Sequence, residues 1–401
     1  MKRFGVFSRG LLLGLWLAQS LGAQAVLVGY ARLPADSFRD GPPSTNRPGL
    51  GLLQPKARWQ GQPVQGVSSL RPAGVRTSPG VLAGGSFWAL SDNGFGAKTN
   101  SASYLLCIYR LRFHWRTVAG GDGSVELEET VELRDPHSRA GFPIEREEEA
   151  GRRLTGADFD PESMDVAADG SFWIGEEFGP YLLHFSAAGK LLSPPIPARV
   201  SGAAGAVEVR SPDRAGGGRP NLGRSKGFEG LTLVPGGGMH LLLEGPLKDE
   251  ASGRLRLFSY EADQSYVEAT AWRYPLERLE YAIGELTYWA ARETYLVVER
   301  DWGHGRKAEF KRLFGWRPGQ EDGGKSQLAD LLDIADPHGL AGEKARFSLP
   351  YVTIEAVHPV DERTVLVCND NNYPATGARS AGRRDDTEFV LLQLEIPDEG
   401  P

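Results

Sequence analysis

Apolar and polar positions alternate along this chain in pairs of short runs that are joined by turns. The clearest pair covers residues 158–185, DFDPESMDVAADGSFWIGEEFGPYLLHF, with Asp169-Gly170 between two alternating runs. An Asp-Gly pair in this setting predicts a β-hairpin, because a type I′ turn needs positive φ at both central positions. Since the first and last residues of a hairpin lie side by side, we expect Glu162 and Glu177 to meet at the end opposite the turn.

The same unit recurs with a fixed spacing between an opening and a closing acidic residue. Three copies share a spacing of 15 residues (177 − 162, 244 − 229 and 370 − 355): Glu162 to Glu177, Glu229 to Glu244, and Glu355 to Asp370. A fourth copy runs from Glu285 to Glu299, which is one residue short of that spacing. A looser copy ends at Asp92-Asn93 and has Ser68 or Ser69 in place of the opening glutamate.

Five related hairpins predict a repeat architecture in which small sheets protect each other's edges. We therefore predict an all-β fold, a six-bladed β-propeller with long loop insertions and a sixth blade within residues 126–153 or 303–344. The strand near Val26 would complete the sheet that contains residues 389–396 and so close the ring. The 51 Gly, 27 Pro and 9 Trp suit many short strands and turns. A β-sandwich is the main rival, but it gives no reason for the repeated spacing. A short helix is expected at residues 327–335.

The opening acids carry the candidate chemistry. Inner strands of a propeller start at one face of the central channel, so these carboxylates should gather at one mouth. Carboxylates at such density repel each other unless a cation or protons intervene, and hard oxygen ligands suit Ca²⁺. The alternative is that these acids cap strands, accept backbone N–H groups or pair with arginines. The predicted metal ligands are Glu162, Glu229, Glu285, Glu355, Asp92 and Asn93.

A second set of residues is predicted to act in catalysis beside the metal. One of the closing acids would be a general base, and basic residues nearby would neutralise charge that develops on a bound anion. The alternative for each basic residue is a solvated loop charge. The predicted catalytic residues are Glu177, Asp370, Arg224, Lys226 and Arg300.

One hydrolase motif is rejected. Residues 223–227, GRSKG, match the G-x-S-x-G nucleophile elbow, which needs a preceding strand and a following helix. A loop rich in Pro, Gly and Arg precedes Ser225, and a hairpin follows it, so Ser225 is not expected to be a nucleophile.

The N-terminus has the features of a cleaved signal peptide at residues 1–25. Lys2, Arg3 and Arg9 precede an apolar run, and Ala23-Gln24-Ala25 is a cleavage signal. A retained anchor is the alternative. Cleavage after Ala25 would change the formal charge from −7 to −10 (42 basic and 52 acidic residues). We therefore predict a secreted or periplasmic monomer, one domain at residues 26–401, with no stable membrane span and no affinity for nucleic acid.

The two cysteines, Cys107 and Cys368, lie in apolar runs. An exported protein could join them in a disulfide. We favour two separate buried thiols, since the sequence does not place their Cα atoms within disulfide reach.

Several motifs resemble the phytase-like family, also called the esterase-like activity of phytase family. The resemblance implies an exported, propeller-like hydrolase of phosphoesters or other esters. This chain departs from the pattern with Ser163 after Glu162 and with no glutamate in the first hairpin. The matching segments are LPADSFRDGPPS (33–44), FWALSDNGFG (87–96), DPESMDVAADGSFWIGEEFGPYLLHF (160–185), GFEGLTLVPGG (227–237) and IEAVHPVDERTVLVCNDNNY (354–373).

The sequence leaves three functions open. The first is an exported metal-assisted hydrolase that acts on a small-molecule ester or phosphoester at the acidic mouth of the channel. The second is a lactonase-type propeller with Ca²⁺ in its channel. The third is a non-catalytic binding scaffold with a structural Ca²⁺.

Overall fold

The computed structural model describes residues 25–46, 57–74 and 85–396, apart from short gaps at 203–204, 215, 249, 251–252, 263, 321–322, 343–344 and 376. The predicted signal peptide therefore lies outside the described residues, except for Ala25, which begins the first strand. No helix within the described ranges is long and apolar enough to cross a membrane.

Most of the described residues belong to five antiparallel sheets of four strands each, which we call blades 1 to 5 from the order of their inner strands. In every blade the strands follow one another from the inside outwards, and the outermost strand of blade 5 comes from the N-terminus. The strands of blades 1 and 2 are Val67–Pro72, Ser86–Ser91, Cys107–His114 and Ser124–Glu132, then Pro161–Val166, Phe172–Glu176, Tyr181–Phe185 and Ile196–Gly202. Those of blades 3, 4 and 5 are Phe228–Leu233, Met239–Leu243, Arg254–Tyr260 and Val267–Pro275, then Ala282–Trp289, Thr294–Arg300, Lys311–Trp316 and Lys325–Asp330, and last Thr353–Pro359, Thr364–Asp370, Thr387–Leu394 and Ala25–Leu33.

The blades form a closed ring. Each inner strand packs against the inner strands of the blades before and after it, and the inner strand of blade 5 packs against that of blade 1. Five buried apolar clusters fill the interfaces between neighbouring blades. Both faces of each sheet are therefore covered, which explains why the inner strands are buried over nearly their whole length. The fold is a β-propeller.

The N-terminal strand closes the ring, as predicted. Ala25–Leu33 runs antiparallel to Thr387–Leu394, from Ala25 beside Leu394 to Leu33 beside Thr387. The first and last strands of the chain thus share one blade, and their hydrogen bonds join the two ends of the ring.

The blade count differs from the prediction, since the described residues form five blades and no sixth. Residues 126–132 lie within Ser124–Glu132, the outer strand of blade 1, and residues 303–344 supply the two outer strands of blade 4. The long intervals between hairpins are used by third and fourth strands and their loops, which leaves no room for another blade. The helix predicted at 327–335 is also wrong, because Lys325–Asp330 pairs along Lys311–Trp316. Tertiary pairing overrides the local helical pattern there.

The remaining elements are short and lie in the loops. Two helices of the 3₁₀ type span Ala290–Arg292 and Gly305–Lys307. The small strands outside the blades are Phe38–Arg39, Ser44–Asn46, Ala57–Trp59, Gln62–Pro63, Gly205–Glu208, Ile334–Ala335 and Arg346–Phe347.

The two cysteines behave as small apolar residues. Cys107 and Cys368 are both buried in the apolar cluster between blades 5 and 1, and both are free thiols. The preferred interpretation of two unpaired thiols is confirmed.

Candidate functional site

Each inner strand contains a β-bulge near its start, at the same place in all five blades. The pairing register slips by one residue there, so the bulged residue has no partner on the second strand. A bulge re-aims the side chain it carries. We call these five positions the bulge ring: Ser68, Glu162, Glu229, Gly284 and Glu355.

A second ring lies beside the first. It consists of the residue that follows, on each second strand, the partner of the residue before the bulge. We call these positions the closing ring, and we call the end of the channel that the two rings border the acid mouth. The closing ring consists of Asp92, Glu177, Glu244, Arg300 and Asp370.

Blade 4 breaks the acidic pattern in both rings. It places Gly284 at the bulge, where an added Cβ would lie 2.0 Å from the carbonyl oxygen of Ile354 in blade 5. Only glycine fits such a close approach of two backbones. Glu285 and Glu299 are each one position away from the ring positions that Gly284 and Arg300 occupy. This offset at both ends explains why their spacing is one residue short.

Glu285, a predicted metal ligand, points to a different layer of the channel. Its carboxylate accepts a hydrogen bond from Ser69 Oγ at 3.0 Å and forms an ion pair with Arg71 at 3.3 Å. Burial raises its pKa to about 8 against the opposing effect of Arg71. The structure therefore places Glu285 with Arg71 and not with the other opening acids.

Arg71 crosses the channel below the acid mouth. It belongs to blade 1, is only 3% exposed, and reaches Asp165 of blade 2 at 3.6 Å. It also donates to the carbonyl oxygen of Leu231 in blade 3 at 2.8 Å and pairs with Glu285 of blade 4. One guanidinium thus links four blades. Beyond it, at the opposite end of the channel, lies a cavity of about 570 Å³ that Arg71 and Asp165 help to line.

Glu299 also has a structural role. It accepts hydrogen bonds from Tyr274 Oη at 3.0 Å and from the backbone N–H of Glu277 at 2.7 Å, and it pairs with Lys325 at 2.5 Å. These partners belong to blade 4 and its neighbour, away from the acid mouth.

Carboxylates of blades 2 and 3 converge at the acid mouth in two groups that share one residue. Oxygen atoms of Asp160, Glu162 and Glu177 lie within 4.8 Å of one another, and so do oxygen atoms of Glu177, Glu229 and Glu244. Ligand oxygens lie about 2.3–2.6 Å from Ca²⁺, so oxygens on opposite sides of one ion are about 5 Å apart. The spacing and the all-oxygen donor set of either group therefore fit a calcium ion.

Burial and mutual repulsion raise the pKa values of these acids. The pKa of Glu162 is raised first by burial and then by the charges of Asp160, Glu355 and Glu229. The same two causes, with burial the larger, raise the pKa values of four more acids well above their usual range: Asp160, Glu177, Glu229 and Asp370. The acid mouth therefore favours bound protons or a bound cation over free carboxylates.

The predicted basic residues divide into two that reach the site and one that does not. Arg300 is 2% exposed and lies 3.0 Å from Glu244 and 3.7 Å from Glu229. Lys226 forms an ion pair with Glu244 on its other carboxylate oxygen. Arg224 is 64% exposed and pairs with Asp213. It is a loop charge, as the alternative interpretation held.

Asn93 and Asp92 lie at the rim, but their amide and carboxylate groups have different surroundings. The Asn93 side chain donates to Asp160 at 2.7 Å, and its carbonyl oxygen accepts the backbone N–H of Gly96 at 2.8 Å. Asn93 therefore orients Asp160. Asp92 accepts the backbone N–H of Gly94 at 2.7 Å, and its charge acts on Asp370 and Glu355.

Glu355 and Asp370 of blade 5 complete the acid mouth. Glu355 accepts a hydrogen bond from Ser68 Oγ at 3.1 Å. Asp370 accepts one from the backbone N–H of Asn372 at 2.7 Å. Neither belongs to the two convergent groups, although the charge of Glu355 acts on Glu162.

Two residues of the convergent groups, Asp160 and Glu244, were not among the predicted ligands. The sequence carried a signal for both, since Asp160 alternates with Glu162 along one strand and Glu244 closes a hairpin with the common spacing. Asp158 has the same alternation but accepts the backbone N–H groups of Thr155 and Glu145, each at 2.7 Å. It therefore holds a loop and does not reach the group.

The raised pKa values predict how the stability of the metal-free protein depends on pH. Burial raises the pKa of Asp92 from 3.8 to about 6 and that of Glu355 from 4.5 to about 7. A carboxyl with a raised pKa in the folded state stabilises the fold below its unfolded value, and this contribution is lost as pH rises through the folded value. In chelator, we expect the melting temperature to fall between about pH 5 and pH 8.

Calcium supplies the control for that measurement. Because Ca²⁺ binds the ionised carboxylates, it should raise the melting temperature more at about pH 8 than at about pH 5. A melting temperature in chelator that rises steadily over this range would contradict the prediction.

The chain is similar to proteins of several kinds. Over 119 residues it is 34% identical to a protein of Arthroderma benhamiae named an uncharacterized secreted protein, and the match covers 26% of this chain. The chain spans 23% of the length of that curated relative. Among solved structures, it is similar to a GH43 β-1,3-galactosidase with 10% identity and a TM-score of 0.40, over 85% of this chain and 94% of that one. It is also similar to the calcium-binding protein regucalcin of Agrobacterium tumefaciens with 11% identity and a TM-score of 0.35, over 82% and 97%.

The family is shown by a longer match. Residues 62–373 match the profile of the phytase-like family, which is described as esterase-like activity of phytase. The match begins just before the inner strand of blade 1 and ends after the second strand of blade 5, so it includes both rings of the acid mouth. The chain therefore belongs to the phytase-like family.

Proposed function

We propose that this protein is a metal-assisted hydrolase of phosphoesters or other esters and that its active site is the acid mouth. The observation that carries the proposal is the convergence of Asp160, Glu162 and Glu177. Among the described residues, none of these three carboxylates has an ion-pair partner. Their negative charge is therefore available to a cation from solution, and Ca²⁺ suits the donor set.

The second convergent group differs because it already has cationic partners. Arg300 and Lys226 bind the two carboxylate oxygens of Glu244. We therefore assign the ion to Asp160, Glu162 and Glu177, and we assign the neighbouring basic pair to the negative charge of the substrate. A cation beside a guanidinium and an ammonium is a suitable environment for a phosphoryl or carboxyl oxygen.

The residues around this group have separate tasks. An ion at this position would polarise the ester and lower the pKa of a bound water. Glu355 and Asp370 are the carboxylates left at the mouth to accept a proton, and Arg300 would stabilise charge on the ester oxygens. Asn93 would keep Asp160 in its binding orientation.

We also propose that the protein is exported. The N-terminal sequence has the features of a cleavable signal, and the A. benhamiae relative is named a secreted protein. Export would expose the protein to the calcium concentrations outside the cell, where ions of modest affinity remain bound. A monomer acting on a small-molecule ester is the simplest arrangement.

Hydrolysis by the purified protein tests the function directly. The substrates are p-nitrophenyl phosphate, bis-p-nitrophenyl phosphate, short acyl p-nitrophenyl esters and phytate, each with added Ca²⁺ and with chelator. We expect turnover of at least one substrate with Ca²⁺ and its loss in chelator.

Two other results would replace the proposal. Turnover of lactones alone would indicate the lactonase-type propeller. A melting temperature that rises with Ca²⁺ while every substrate stays intact would indicate a binding scaffold with a structural ion.

A further inference from the structure

Arg300 has hydrogen-bonding capacity that the protein does not use. Its side chain is 2% exposed, and one terminal nitrogen, Nη2, serves both Glu244 and Glu229. Within the described part of the chain, Nε and Nη1 are buried without a hydrogen-bond partner. A buried guanidinium with unmet donors is costly unless a ligand or water satisfies it. The free donors therefore indicate an anionic ligand.

Trp302 stands beside this guanidinium and is unusually exposed for a fixed aromatic side chain. It is 50% exposed, although its indole nitrogen donates to the carbonyl oxygen of Glu280 at 3.1 Å. The chain turns tightly after it, since a Cβ on Gly303 would lie 2.1 Å from the carbonyl oxygen of Lys307. A large apolar ring that is held in place but left open to solvent is typical of a binding surface.

The two cations of the site lie on one side of this indole. The Arg300 guanidinium carbon is 4.4 Å from the ring centroid, and Lys226 Nζ is 4.6 Å from it. Both cations also bind the two oxygens of the single Glu244 carboxylate, so they cannot lie on opposite faces of the ring. The other face of the indole is therefore free of them.

We propose that Arg300, Lys226 and Trp302 form a subsite for anionic esters that carry a flat ring. The anionic group would bind Arg300, and the ring of the substrate would stack on the free face of Trp302. This inference rests on the proposed function and adds a substrate class to it, namely phosphoesters or related anionic esters of ring-bearing alcohols. Stacking on an indole is selective for flat rings over short alkyl groups.

Binding of two phosphonates tests the subsite without any turnover. Phenylphosphonate and methylphosphonate carry the same anionic group on a stable C–P bond, and only the first has a ring. Isothermal titration in Ca²⁺ should show that phenylphosphonate binds about tenfold more tightly. Trp302→Ala should remove this difference and leave methylphosphonate binding unchanged, and Trp302→Phe should restore most of it.

The controls separate the subsite from general effects on the fold. Trp272→Ala removes another exposed tryptophan, on the outer strand of blade 3, and should leave both affinities as in the unaltered protein. Arg300→Gln should weaken both phosphonates by about tenfold or more. Equal affinities for the two phosphonates in the unaltered protein, or an equal loss of both in Trp302→Ala, would overturn the proposal.

The outcome is distinguishable from a failure of the proposed function. Selective binding of phenylphosphonate without hydrolysis of any ester would support the subsite and reject the hydrolase. Hydrolysis of esters without any preference for a ring would do the reverse.

Discussion

Glu177→Gln is expected to remove both calcium-dependent stabilisation and hydrolysis. Glu177 contributes an oxygen to both convergent groups, and the substitution keeps its size while removing its charge. Loss of a bound ion that polarises the ester should raise the barrier by about 4 kcal/mol, or lower kcat/KM about 10³-fold. The measurements are the calcium-induced shift in melting temperature and kcat/KM on the best p-nitrophenyl substrate.

Glu285→Gln is the matched control, because the hairpin pattern alone treats Glu285 as an equivalent opening acid. The structure pairs it with Arg71 and Ser69, so its loss should lower stability but leave the calcium-induced shift intact. A calcium shift that disappears in Glu285→Gln and persists in Glu177→Gln would show that the ion lies in the other layer of the channel.

Arg71→Met is expected to produce the largest loss of stability from a single substitution outside the acid mouth. The change removes the cationic partner of two acids, Asp165 and Glu285, of which Glu285 is fully buried. Leaving a buried charge unpaired costs about 3–5 kcal/mol. Equilibrium unfolding in urea should show this as a lower midpoint.

Two further variants make the result specific. Arg346→Met removes the cation of the ion pair with Asp333, both of which are about half exposed, and should cost less than about 1 kcal/mol. Adding Glu285→Leu to Arg71→Met removes the unpaired carboxylate and should recover part of the loss. If Arg71→Met and Arg346→Met unfold at the same urea concentration, Arg71 does not tie the blades together.

Much of the architecture was predictable from local patterns. The alternation in residues 158–185 and the common spacing of 15 residues identified the hairpins, because side chains of a strand alternate between its two faces. The closing role of the strand near Val26 was also predictable, since an unpaired strand at one end of the chain needs an edge at the other. The number of blades was not, because outer strands carry no repeated acid that would assign them to a blade.

The candidate site divides in the same way. Glu162, Glu229 and Glu355 could be grouped because they share one position in a repeated hairpin. Glu285 could not be separated from them by its neighbours along the chain. Its position depends on the bulge at Gly284, and that bulge depends on the backbone of Ile354 in the next blade.

Local chemistry along the chain thus decided that this protein builds repeated hairpins with acids at their open ends, because strand periodicity and turn preferences act over a few residues. Packing between blades decided which of those acids meet. It placed Arg300 where four other blades have an acid and set Arg71 across the channel, and it left Trp302 open beside the carboxylates. These contacts join residues that are far apart in sequence, so their register depends on how five sheets fit together around one axis.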